Sequence, residues 1–321
     1  MVTAEQLQHH LDNCLTGTQI EGLGDFYKGK VRDNYSTDDG RRILVTTDRQ
    51  SAFDRNLGLI PLKSQALTQL SSWWFEHTKD IVKNHVIEVP DPCIVIGKNV
   101  KTIPIEMVIR GYLSGSTGTS SWMAYHNGER TYCGHTLPEG MLKNQKFENP
   151  LITPTTKDDI HDENIDFFTV VESGLVDPAL WEQMVDVTYK LFERGQQLAA
   201  KGGLILVDTK YEFGVDEEGK LVLIDEIHTS DSSRFWKADT YQALIADGKE
   251  PENFDKEFLR LWFRDRCDPY NDENLPEMPD EFRIEVALRY IETYERITGE
   301  AFQMPESSVQ ERVVGVLEGL R

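Results

Sequence analysis

Leu206-Val207-Asp208-Thr209-Lys210-Tyr211-Glu212-Phe213-Gly214 is the stretch on which the reading of this chain turns. Side chains alternate across an extended strand, so Asp208, Lys210 and Glu212 share one side, and Val207, Thr209, Tyr211 and Phe213 the other. A second extended run, residues 221–227, follows the turn-forming Asp216-Glu217-Glu218-Gly219, and the two read as a β-hairpin. With a four-residue loop, Val215 opposes Lys220, Lys210 faces Asp225, and Glu212 lies diagonally from Asp225 on that same face. A loop one residue longer turns Asp225 away. In the first register two carboxylates and a lysine converge. That set suits Mg2+ with bound phosphates, because the ion prefers oxygen ligands and usually takes only one or two from protein. A solvated charged face of a half-exposed sheet has the same alternation.

Upstream, residues 103–113 repeat with period two, which puts Met107 and Ile109 on one face and Glu106, Val108 and Arg110 on the other. Arg110 is followed by Gly111, Ser114, Gly115, Ser116, Thr117 and Gly118. Guanidinium, hydroxyls and amides together fit a phosphate monoester, though a flexible turn has the same composition. Residues 115–164, rich in Gly, Ser, Thr, Asn and Pro, read as a long active-site loop. Asp177 then caps a helix with Pro178 at its first position, a buried stripe through Trp181, Met184, Leu191 and Leu198, and Gly202-Gly203 at its end. Asp231-Ser232-Ser233-Arg234 adds a second arginine just beyond the hairpin.

The first third reads as short strands (residues 43–47, 86–89 and 93–96) with one helix carrying Leu67, Leu70, Trp74 and His77. Gly24-x4-Gly29-Lys30 nearly fits a Walker A loop, but Val31 stands where a hydroxyl would meet the metal. Gly29-Lys30-Val31-Arg32-Asp33 reads instead as a tight turn whose amides and cations can cover phosphates, or as an ordinary basic hairpin tip. The last third is helical, and Ser308-x-x-Glu311 is a capping box for a terminal helix. The expected class is α+β, with an N-terminal sheet domain over residues 1–103, a central mixed domain over 104–236 and a C-terminal helical segment over 237–321.

Lys plus Arg number 34 against 55 Asp plus Glu, a net charge of −21, which argues against a nucleic-acid or anionic-membrane surface. No apolar run approaches the roughly 18 residues of a membrane span, and the polar N-terminus leads us to expect a cytoplasmic protein. Cys14, Cys93, Cys133 and Cys267 form no Cys-x-x-Cys pair, and no zinc-type His spacing or Gly-x-Ser-x-Gly elbow occurs.

Six of these motifs, in order, resemble the SAICAR synthetase family nearly end to end. They are Gly29-Lys30-Val31-Arg32-Asp33, Ser51-Ala52-Phe53-Asp54, residues 103–116, Leu206 to Gly214, Asp225-Glu226 and Asp231-x-Ser233-Arg234. The resemblance implies an ATP-grasp-like fold and a ligase in which MgATP activates the carboxylate of the purine intermediate CAIR for attack by L-aspartate. It implies Glu212 and Asp225 as Mg2+ ligands, and Lys210 and Asp231 among the reacting groups. It puts Gly29, Lys30, Val31, Arg32 and Asp208 on ATP. Arg110, Ser116, Ser233 and Arg234 fall to CAIR and its phosphate, and Asp54 to the cleft lining, with Lys157, His161 and Asp162 as candidates toward L-aspartate. Ile60-Pro61-Leu62-Lys63-Ser64 departs from the family, many members of which have glycine on either side of that lysine. A kinase of related fold would share these groups but would not need L-aspartate for ADP formation. Whether the chain is a monomer or a homo-oligomer stays open at this level.

Overall fold

The computed structural model describes residues 2–157 and 163–321. They form two compact units, one of Met1–Phe75, His85–Asn99 and Phe258–Arg321, the other of Glu76–Asn84 and Val100–Glu257.

The first unit is built on a five-stranded antiparallel sheet in the order Asp25–Lys28, Arg32–Ser36, Arg41–Thr46, Ile94–Lys98, Val86–Asp91. Tyr35, Ile43, Val45, Ile94 and Ile96 are buried, as is the stripe Leu67, Leu70 and Trp74 of the helix Lys63–Thr78. Thr68 of that helix donates its hydroxyl to Thr46 of the sheet at 2.8 Å. A separate hairpin pairs Arg49–Ala52 with Arg55–Leu59 through the two-residue turn Phe53-Asp54. Both turn residues have positive φ (54° and 57°), the handedness that two-residue hairpins require. Helices Asp280–Thr298 and Val309–Glu318 complete the unit, and Ser308 caps the latter through its hydroxyl on the Glu311 amide, as the sequence predicts.

The second unit contains a seven-stranded mixed sheet. Its spine runs Lys146–Ile152, Lys101–Tyr112, Leu204–Val215, Leu221–Ile224, Lys83–Asn84, with only the last pair parallel. Thr155–Thr156 also pairs with Lys101–Tyr112, and Ser233–Lys237 with Leu204–Val215. The helix Pro178–Lys201 starts at the Asp177 cap, whose carboxylate accepts from the Ala179 and Leu180 amides, and buries Trp181, Met184, Leu191 and Phe192. It packs close: a Cβ on Gly195 would stand 2.6 Å from Leu206 Cδ2 and 2.4 Å from His228 Cε1.

Two local expectations change. Residues 115–164 are not one irregular loop, for they include the helix Ser121–His126, the hairpin Thr131–Tyr132/His135–Thr136 and the strand Lys146–Ile152. Leu113, Ala124, Tyr125, Tyr132, Leu137 and Phe147 form a small core of their own there, so sparse apolar residues far apart in sequence outweigh the turn-forming composition. The hairpin loop also has five residues rather than four, since Val215 pairs with Leu221 and the Asp216 amide donates to the Lys220 carbonyl at 3.0 Å. Cys14, Cys93, Cys133 and Cys267 are all free thiols.

Candidate active site

The face of the Leu204–Val215 strand that carries Asp208, Lys210 and Glu212 is continued by its neighbour. Asp208 lies opposite Arg110, Lys210 opposite Val108 and Glu212 opposite Glu106. Two carboxylates directly across a ladder repel each other. Here the Lys210 ammonium lies between them, 2.6 Å from Glu106 Oε1 and 2.5 Å from Glu212 Oε1. Lys157 pairs with the other oxygen of Glu212, and Thr155 donates its hydroxyl to Glu106 Oε2 at 3.2 Å. Burial, then the neighbouring Asp225 charge, push the Glu212 carboxyl upward against the pull of the two lysines. Burial alone would lower Lys210, but the Glu212, Glu106 and Asp225 carboxylates hold it well above its ordinary value.

Asp225 reaches this cluster by a route that pairing arithmetic misses. The five-residue loop puts Ile224 rather than Leu223 opposite Glu212, a shift of one residue that takes Asp225 out of its expected place opposite Lys210. The strand ends there, and Asp225 adopts φ 68°. With the backbone left-handed at that residue, its Oδ2 lies 3.7 Å from Lys210 Nζ. From this point the chain leaves the sheet and rejoins it at Ser233, pinned by the Lys210 amide on the Ser232 carbonyl (3.2 Å) and by His228 Nε2 2.5 Å from the Tyr211 hydroxyl. Burial drives the His228 imidazole down to about 3.

Four residues along the strand from Glu212, a distance of about 13 Å at the usual rise per residue, Asp208 gathers two guanidiniums. Arg234 Nη1 is 2.7 Å and Arg110 Nη1 3.7 Å from Asp208 Oδ2, and the Ser114 hydroxyl donates to the same oxygen at 3.1 Å. Arg234 also meets Glu257 (3.3 Å), and Arg110 Nε donates to the Thr153 hydroxyl at 2.9 Å. Burial would lower Arg234, but the Asp208, Glu257 and Asp255 charges raise it, so it stays charged although 9% exposed. Gly115 (φ 102°) lies against it, because a Cβ there would be 3.0 Å from Arg234 Nη2. Ser116 is buried in the same segment.

Of the residues singled out in the sequence, Lys157, Lys210, Glu212 and Asp225 meet in the first cluster, and Arg110, Asp208 and Arg234 in the second. Ser233 stands apart, since its hydroxyl donates to Thr209 at 2.7 Å, a position of the opposite strand face. Asp231 is ion-paired with Lys256 at 3.1 Å, with both side chains largely buried. His161 and Asp162 lie outside the described residues. Glu106 is the residue sequence reasoning left out of the site; it was placed on the charged face of its strand, but only the cross-strand register shows that it meets Lys210.

In the first unit, Gly29, Lys30, Val31 and Arg32 lie at the turn between Asp25–Lys28 and Arg32–Ser36, closed by the Gly29 amide on the Arg32 carbonyl at 2.8 Å. Lys30 pairs with Asp54 at 2.6 Å, both well exposed.

Glu212 and Asp225 offer only carboxylate oxygens, the donor type that Mg2+ prefers. Among the described residues no group of three or more His, Cys, Asp and Glu side chains is arranged to hold a metal by itself. On donor chemistry alone, two carboxylates match the share of its shell that Mg2+ usually takes from protein, the rest coming from phosphate and water.

A family model described as SAICAR synthetase matches residues 25–277. A phosphoribosylaminoimidazole-succinocarboxamide synthase of Legionella pneumophila (strain Paris) is 56% identical over 289 residues, covering 90% of this chain and 92% of that protein. Among solved structures, SAICAR synthase from Saccharomyces cerevisiae complexed with SAICAR superposes with a TM-score of 0.78 at 33% identity, over 90% of this chain and all of the other. A type-2 SAICAR synthetase in complex with ADP gives 0.66 at 25% identity over 87% of this chain and 100% of that one. No helix among the described residues is long and apolar enough to cross a membrane.

Proposed function

Because the chain belongs to the SAICAR synthetase family, we infer that it joins CAIR to L-aspartate, with ATP becoming ADP and phosphate. The observation that carries this reading is the pairing of two unlike clusters on one strand face. Arginines meet at Asp208, and carboxylates meet an ammonium at Lys210, about 13 Å farther along at Glu212 by the strand rise. That spacing is on the scale of a nucleoside monophosphate, with its phosphate at one end and the group to be activated at the other.

Arg110 and Arg234, drawn together and aimed by Asp208, bind the CAIR phosphate, together with Ser116. Their guanidiniums are pre-set by buried acceptors, so little ordering remains for the ligand to impose. Lys210 approaches the CAIR carboxylate and the transferring phosphoryl group, where a fixed ammonium offsets developing negative charge. Glu212 and Asp225 would hold Mg2+, which supplies further charge neutralisation for ATP phosphates when bound. Glu106 keeps Lys210 in place. The Gly29 to Arg32 turn covers ATP phosphates. Asp231, paired with Lys256, takes the incoming L-aspartate amine, and Lys157 faces one of its carboxylates.

A carboxylate is a poor electrophile until one oxygen becomes a phosphate leaving group. ATP donates that phosphoryl group and departs as ADP, the amine then attacks the carbonyl carbon, and inorganic phosphate leaves as the amine loses a proton. The test is incubation with CAIR, ATP and L-aspartate, with the succinylated product followed by mass spectrometry. Product and ADP formed together only when L-aspartate is present are expected. ADP formed at the same rate without L-aspartate would favour a kinase instead.

A further inference from the structure

The turn read above as covering ATP phosphates is held by one buried side chain outside every cluster described so far. Arg49 stands at the start of the Arg49–Ala52 strand, with its side chain 6% exposed. Its Nη2 donates to the Gly29 carbonyl (3.0 Å) and to Asp33 Oδ1 (2.8 Å), its Nε to the Lys30 carbonyl (3.2 Å) and its Nη1 to the Thr16 carbonyl (2.8 Å). Four of the five N–H groups of a guanidinium are thereby engaged, three of them on the turn and its flanking carboxylate. The counter-ion is itself fixed, because Asp33 Oδ2 accepts from the Thr18 amide at 2.5 Å. A Cβ on Gly17 would come within 3.0 Å of that oxygen and 3.1 Å of Arg49 Nη1, so the chain passes here with no room for a side chain.

The remaining carbonyls of the turn are also taken. Val31 O accepts from the Thr47 amide (3.0 Å) and hydroxyl (2.7 Å), and Arg32 O from the Gly29 amide (2.8 Å). Every carbonyl from Gly29 to Arg32 is thus drawn onto a protein donor. Among the described residues, by contrast, no acceptor takes the N–H of Lys30 or Val31. A turn whose carbonyls are all engaged and whose successive amides are left available presents a positive surface to an anion.

We propose that Arg49 is a positioning residue for ATP, fixing the Gly29-Lys30 carbonyls inward so that the Lys30 and Val31 amides point at nucleotide phosphate. It does not touch the nucleotide; it acts through the backbone it holds. The proposal rests on the reading of this turn as the ATP-phosphate loop, and the experiment separates the two.

Arg49→Lys keeps a charge beside Asp33 but cannot hold both turn carbonyls and Thr16 at once. It is expected to raise KM for ATP and Kd for ADP by about tenfold, while KM for CAIR and for L-aspartate stay within twofold. Amide hydrogen exchange at Gly29, whose N–H is held on the Arg32 carbonyl, should quicken, with the strand Arg41–Thr46 unchanged. Lys30→Ala, measured alongside, tests the loop reading itself. A raised KM for ATP in Lys30→Ala but not in Arg49→Lys overturns the proposal and leaves the loop reading standing. An unchanged value in both removes the loop from ATP altogether. Equal weakening of all three substrates in Arg49→Lys, with a lowered Tm, would reduce Arg49 to a structural strut and also overturn the proposal. Should Arg49→Lys not fold, Thr47→Val decides. It deletes the hydroxyl on the Val31 carbonyl, and a KM for ATP raised about threefold supports the mechanism, whereas an unchanged one refutes it.

Discussion

Replacing Glu106 by Gln separates the two things its carboxylate does. Its Oε1 and that of Glu212 flank one ammonium at 2.6 and 2.5 Å, so they are at most about 5 Å apart, and their mutual repulsion at an effective dielectric near 20 is at least about 3 kcal/mol. The attraction of Glu106 for Lys210 at 2.6 Å is about 6 kcal/mol on the same scale. Neutralising Glu106 forfeits that attraction, but it also removes the repulsion and the several kcal/mol of desolvation that an ionised buried carboxylate carries. These terms nearly cancel, and the amide can offer its one oxygen to Lys210 while its NH2 donates to the Thr155 hydroxyl oxygen in place of the bond that Thr155 now makes to Oε2. We therefore expect stability to change by no more than about 1 kcal/mol, a Tm shift of about 3 °C or less. Turnover should respond quite differently, because a neutral amide oxygen holds Lys210 less firmly than the carboxylate that aims it at the transferring phosphoryl group. A fall in kcat of about 100-fold is expected, the scale seen when one preorganised charge-stabilising group is lost. Steady-state ADP release with a coupled assay, alongside scanning calorimetry, reads both. A kcat within threefold of the parent, or a Tm lowered by 10 °C with kcat retained, would refute the reasoning, since Glu106 would then be a brace for the sheet.

Glu212→Ala should cut turnover by about two orders of magnitude or more with the fold intact; near-normal turnover at saturating Mg2+ would take it out of the metal site. Arg110→Ala should raise KM for CAIR while KM for ATP stays similar, and the opposite pattern would exchange the two phosphate subsites. Burial lowers His228 to about 3, so the folded state binds fewer protons there than the unfolded chain. The stabilisation is complete above the ordinary histidine value near 6.5 and is lost as pH falls toward 3. In urea unfolding, the parent should lose about 1 kcal/mol more than His228→Gln between pH 6.5 and 5.5; a difference between the two proteins that is constant across that interval would sink this assignment.

How much of this could be read in advance varied with how local the cause was. The Asp177-Pro178 start and Gly202 end of the long helix depend on neighbours in sequence, and both stand where the residues put them. The charged face of the Leu204–Val215 strand follows from alternation alone. Glu106 was invisible as a site residue because a lone acid in an apolar strand acquires meaning only from the strand beside it. Arg49 carried no local signal either, since its partners at Thr16, Gly29, Lys30 and Asp33 are 16 or more residues away. Asp225 was placed in the right cluster through a loop count one residue short, and the left-handed turn of its own backbone made up the difference.

That turn narrows what evolution or a designer can put at position 225. Asparagine takes the same dihedral angles at least as readily as aspartate, yet brings no negative charge. Glutamate brings the charge but accepts that conformation poorly and carries an extra methylene past the cation. Glycine relaxes the bend and supplies no ligand. Handedness and ionic character are therefore demanded together of a single short acid, and each simple replacement gives up one or the other.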